Sequence, residues 1–158
     1  MTARLLLVLF CGTLAACSSF DAEWRAAKDR PNAHGPTRWE GRWTSEKHTA
    51  PGGGPAAGRL RCVLSEAATN CFPGKGPARP PTALRASFHA NWMLFSSDYT
   101  MTLTPLGGSR TRFRGTHELP AMFGGTYRYS AHIAGDRFTA CYDSSYDHGT
   151  FNLTRVRP

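Results

Sequence analysis

Four ring-bearing polar side chains fall on the inward phase of their strands in the second half of the chain: His117, Tyr127, Tyr129 and Tyr142. A tyrosine sets a hydroxyl on an apolar ring, and a histidine offers a donor and an acceptor. Gathered inside a pocket, they would stack on and hydrogen-bond to a small, mostly apolar ligand. Trp39 shares the inward phase of its own strand and could reach the same space. The same residues also suit a filled interior, with the histidine satisfied by a tyrosine hydroxyl. A second cluster, Asp143-Ser144-Ser145-Tyr146-Asp147-His148-Gly149, gathers carboxylates, a histidine and hydroxyls in one loop. It has neither calcium-loop spacing nor the Cys/His pairs of a zinc site. A Ser/His/Asp set converges from separate segments, so this loop reads as a polar turn. No catalytic set, metal or cofactor is expected, and the chain is read as non-enzymatic.

The elements that must position these residues are short strands. Leu84, Ala86, Phe88, Ala90 and Trp92 alternate with Arg85, Ser87, His89 and Asn91. The same period-two pattern marks Arg59–Leu64, Tyr99–Thr104, Phe113–Leu119, Tyr127–Ile133, Phe138–Tyr142 and Phe151–Arg155, separated by Gly/Pro/Asp clusters. One face is apolar and the other polar in nearly every strand. A long sheet with one buried face must curl closed or split into a sandwich, and short sequential links favour closure. The predicted fold is all-β: an eight-stranded antiparallel up-and-down barrel, with Ala68–Phe72 counted as one short strand. That strand would fold back on Arg59–Leu64 and set Cys62 opposite Cys71, within reach of a local disulfide. Cys141 falls on the outward phase, where it could pair between chains, and His89 and His132 face solvent with no role assigned.

Residues 1–16 are not fold material. Arg4 gives a basic start, and Leu5–Phe10 is an apolar run far shorter than the roughly 20 residues a membrane span needs. Leu14-Ala15-Ala16-Cys17 resembles the lipobox of bacterial lipoproteins, which implies cleavage before Cys17, acylation (including palmitate) of that cysteine and a membrane partner through the lipid. Ser18 replaces the aspartate of inner-membrane retention signals, so the resemblance implies an outer-membrane lipoprotein of the cell envelope, with the domain expected in the periplasm. Residues 17–38 read as a tether. Ser19–Lys28 could form a short helix capped by Ser19, resting Trp24 on the bilayer or packing on the barrel wall. Residues 39–158 are the barrel domain.

The full chain carries 19 basic and 11 acidic residues, and losing residues 1–16 removes only Arg4. Such a balance usually suggests nucleic acid, but an exported protein seldom meets it, so no nucleic-acid partner is expected. Arg112, Arg114 and Arg128 would form an outward basic strip. That strip leaves an acidic envelope partner as the rival function, a protein-interaction module such as a hydrolase inhibitor.

Gly41-Arg42-Trp43 on the first strand, with Arg155 inward on the last, resembles the signature of the calycins, the superfamily of lipocalins, fatty-acid-binding proteins and avidins. The resemblance implies that Trp43 plugs one end of a ligand-binding barrel while Arg155 lies across its ring. A cation–π contact of that kind contributes roughly 0.5–2 kcal/mol.

Overall fold

The computed structural model describes residues 19–28, 35–67, 82–92, 95–121 and 124–157. The alternating segments form eight strands: β1 (Thr37–Thr49), β2 (Pro55–Glu66), β3 (Leu84–Trp92), β4 (Phe95–Pro105), β5 (Arg112–Glu118), β6 (Thr126–Ala134), β7 (Arg137–Asp143) and β8 (His148–Arg155). Each pairs antiparallel with the next, and β1 closes on β8. The architecture is the closed up-and-down barrel that the pattern predicts.

Side-chain phase sets what the barrel contains. On β6, Tyr127, Tyr129 and Ala131 are buried while Arg128, Ser130 and His132 are exposed. Phe88 and Phe138 sit at the centre with ring centroids 6.2 Å apart, and Phe151 lies 5.7 Å from Phe88. Inward alanines (Ala86, Ala90, Ala131, Ala140) leave room for these rings. Fully burying one such phenylalanine is worth about 1.5–3 kcal/mol. The weakest seam is β4–β5, registered only at Thr104 opposite Arg114 and Pro105 opposite Phe113.

One expectation about β2 changes. Its edges are taken by β1 and β3, which place Trp39 and Phe88 directly opposite Cys62. The segment Ala68–Phe72 lies outside the described residues, and the barrel reaches eight strands without it. Cys62 is a fully buried free thiol of the core, pushed up in pKa by burial. Cys71 lies outside the described residues, as do residues 1–18.

Residues 19–28 form one helix, α1, and of its two possible resting places it takes the barrel wall. Phe20, Trp24 and Ala27 face the sheet at helical spacing and cover Val63, an outward residue of β2. The Arg61 guanidinium lies 5.4 Å from both the Phe20 and Trp24 rings, and Arg38 lies 5.3 Å from Trp24. Arg85 forks onto both Glu23 oxygens at 3.0 and 2.9 Å, which holds the Glu23 carboxyl below its usual range. His89 is accordingly not a free solvent-facing residue. Phe20 stacks on its ring at 5.4 Å, and its Nδ1 meets Asp98 Oδ1 at 2.5 Å.

Candidate functional site: an aromatic mouth

The inward tyrosines converge at the end of the barrel where β4 begins and β5 finishes. Tyr127, Tyr129 and Tyr142 come from β6 and β7, Tyr99 from β4, Trp43 from β1 and Phe151 from β8. Together with His117 they surround a cavity of about 80 Å³. Neighbouring rings stand 5.1–6.4 Å apart: Tyr99 and His117 at 5.1 Å, Tyr142 and Phe151 at 5.2 Å, Tyr127 and Tyr129 at 6.4 Å. Such spacings are those of packed aromatic pairs. The structure thus brings together His117, Tyr127, Tyr129 and Tyr142, as their phase predicts.

Trp39 does not join them. It is 3 % exposed, set edge-on to Phe138 with centroids 6.0 Å apart, and its Nε1 donates to Thr37 Oγ1. Trp43 takes the place expected for Trp39: it lines the cavity, and its Nε1 donates to the Asn91 carbonyl at 3.0 Å. Arg155 is a second correction. Its register partner is Trp39, whereas Trp43 faces Phe151, four residues earlier on β8. Arg155 is exposed at the strand's end, so the expected contact across the Trp43 ring is not made.

The polar atoms of the mouth are held in neutral forms. Burial, above all, pushes the Tyr99, Tyr129 and Tyr142 phenols well up, and raises Tyr127 as well. Burial also lowers His117 below its ordinary value, partly offset by a polar contact with the Thr100 carbonyl across the β4–β5 seam. These rings therefore offer neutral hydroxyls and a neutral imidazole at pH 7.

Sequence reasoning missed the group behind them. Asp147, read as part of a polar turn, is fully buried, as is Ser45. Ser45 Oγ donates to Asp147 Oδ1 at 2.6 Å, and the Tyr142 hydroxyl donates to Oδ2 at 2.9 Å. Ser45 Oγ in turn accepts the Lys47 and His48 backbone N–H groups. This network ties the β7–β8 loop to the far half of β1. A usable signal existed: an inward tyrosine needs a partner for its hydroxyl, and the nearest acceptors in sequence lie in the Asp143–Asp147 turn.

The outward arginines lie as predicted, with Arg112, Arg114 and Arg128 exposed on β5 and β6. Arg114 faces Ser130, and Arg128 sits between Thr116 and Asp143. Arg114 and Arg128 border a broad open hollow on the outer wall, floored by Thr100, Thr102, Thr104 and Thr116.

Fold and site together define a small closed antiparallel barrel with a packed interior and an aromatic mouth at one end. Searches of known protein families, of curated proteins and of solved structures each return no match for this chain.

Proposed function

We propose that this chain is a non-enzymatic binding barrel, anchored to a bacterial outer membrane through an acylated Cys17, whose aromatic mouth takes a small ligand. The observation that carries the reading is the cavity itself, where residues from seven strands line a small open hollow beside buried polar groups. At about 80 Å³ it is far below the roughly 300–1,000 Å³ of drug-sized pockets, so the ligand is a small molecule or the head of a larger one. Closure of β1 on β8 agrees with the calycin resemblance, although the exposed Arg155 departs from it. Neutral, buried phenols favour binding over nucleophilic chemistry, because a phenolate is not available near pH 7.

Two measurements test this reading. Palmitate labelling of the full chain in a Gram-negative host should mark the outer-membrane fraction and vanish in Cys17→Ala; equal labelling of both chains overturns the anchor. Native mass spectrometry of the chain purified from its own host should show a small molecule released by mild activation. A second reading, docking of an acidic envelope protein on the outer wall, is favoured by the exposed Arg112, Arg114 and Arg128, the last two beside the threonine-floored hollow. A partner held there should be captured at low salt and released at high salt.

A further inference from the structure

The chemistry of the mouth narrows the ligand class, and this step rests on the small-ligand reading above. Six of the cavity's walls are aromatic: Trp43, Tyr99, Tyr127, Tyr129, Tyr142 and Phe151. Aromatic faces carry the negative end of the ring quadrupole. No lysine or arginine is among the described residues around the cavity, although arginine is abundant on the outward phase of the barrel.

A buried carboxylate stands directly behind this wall. Both Asp147 oxygens accept hydroxyl protons, from Ser45 and from Tyr142, the pattern of an ionised group. Asp147 takes no part in any ion pair among the described residues. Lys47, on the same stretch of β1, places its ammonium on the Ser145 carbonyl at the exposed side of the loop. A buried carboxylate without a cation is costly, and two hydroxyls offset only part of that cost. The Asp147 charge reaches the cavity walls, where it adds to burial in raising the Tyr127 and Tyr142 phenols.

We infer that the mouth binds the methylated ammonium head of a small organic cation, with the aromatic faces around it and the Asp147 carboxylate behind Tyr142 as countercharge. Size agrees. A dry cavity that admits benzene measures about 150 Å³, so about 80 Å³ suits a compact head with the remainder projecting into solvent. A fused ring system does not fit. A neutral apolar guest of equal shape would gain the contact area but not the charge attraction, and an anion would face both the ring quadrupoles and Asp147. The head could belong to a free solute or to a lipid, and the two sources share this chemistry.

Calorimetric titration of the full mature chain in a maltoside detergent provides the test. The probes are choline and 3,3-dimethylbutan-1-ol, which replaces the charged nitrogen with carbon at the same shape. Choline should bind on the order of tenfold tighter or better. Tyr127→Leu, which removes one ring of the wall, should lose on the order of tenfold in choline affinity, with its melting temperature monitored in parallel. Equal affinity for the neutral isostere overturns the cation assignment and leaves a ligand-binding mouth. Absence of heat with both probes overturns the cation assignment and the small-ligand reading together. Co-sedimentation of the Cys17→Ser chain with phosphatidylcholine vesicles, competed by free choline, assigns a lipid source; choline binding without sedimentation assigns a free solute.

Discussion

Trp39 and Trp43 lie four residues apart on the same face of β1 and are equally buried, yet they occupy opposite kinds of environment. Trp39 is satisfied locally, through Thr37 two residues away, and packs on Phe138 in a filled end of the barrel. Trp43 reaches the Asn91 carbonyl, 48 residues away, and borders open space. Gly58, directly opposite Trp43, makes that placement possible, because a Cβ there would collide with the Trp43 indole and the Asn91 carbonyl. One end of the barrel is therefore built for packing and the other for keeping a hollow. A hollow lined with rings persists only when something holds the rings apart. In this chain the Asp147 network does so from behind.

The largest effect should follow from removing that support. Asp147→Ala leaves the buried Ser45 hydroxyl without its acceptor and the Tyr142 hydroxyl with only the longer contact to the Thr44 carbonyl, at 3.3 Å. The expected loss is about 3–5 kcal/mol, from two hydrogen bonds to a charged group at about 1.5–3 kcal/mol each. Tyr142→Phe, which removes one donor and keeps the ring, should cost only about 1.5–3 kcal/mol. Chemical denaturation of both variants and their double mutant measures the coupling. Additive losses would show that Asp147 and Tyr142 act separately and would break the account of the mouth given above.

The two tryptophans should separate next. Trp39→Ala and Trp43→Ala should each lose about 3–5 kcal/mol of stability, as large-to-small core changes do. Only Trp43→Ala should also lose affinity for a ligand of the mouth. A Trp39→Ala chain that folds but no longer binds would mean the ends are coupled and the contrast between them is false.

These contrasts also mark how much could be read from the amino-acid order. Strand phase was legible because each strand has one wet and one dry face, and phase alone gathered His117 and the three tyrosines. The hairpin at Gly135-Asp136 was legible from its turn residues, and Gly135 takes the positive φ such a turn demands. Phase says which face a residue occupies but not how deep along the barrel it sits. Arg155 was placed on the correct face and at the wrong depth, and the roles of Trp39 and Trp43 were exchanged for the same reason. Helix α1 was legible as a helix, and its Phe20, Trp24 and Ala27 stripe matched an outward valine, Val63, that otherwise had no reason to be apolar. Asp147 escaped because a carboxylate among serines reads as surface until the hydroxyl it receives is known.

His117 gives a smaller and reversible probe of the open end. Burial holds its folded pKa below the ordinary 6.5, so the unfolded chain takes up the proton first as pH falls. The stabilising share linked to neutral His117 is therefore complete above that value and is lost progressively as pH drops from 6.5 through the folded pKa. Protonation also places a positive charge on the rim, so choline affinity should fall between about pH 7.5 and about pH 5. His117→Gln should flatten that affinity profile. A profile that stays unchanged in this variant would assign the titration to another group.

The smallest effect is expected at Arg155, and its smallness is informative. If the arginine lay across Trp43 as the calycin signature implies, its removal would strip roughly 0.5–2 kcal/mol of cation–π contact and expose an indole. In this barrel Arg155 is exposed and its register partner is Trp39, while the cation–π contacts among the described residues belong to Arg38 and Arg61 on the outer wall. Arg155→Ala should thus change stability by no more than about 0.5 kcal/mol, the range of ordinary surface substitutions. Arg61→Ala should cost more, because Arg61 touches two rings of α1 and lies 3.6 Å from Asp21. Loss of protection in α1, read by amide hydrogen exchange, should accompany Arg61→Ala and not Arg155→Ala. The reverse ranking would mean that the last strand closes over the first tryptophans more tightly than its exposed end indicates, and that both ends of the barrel are sealed.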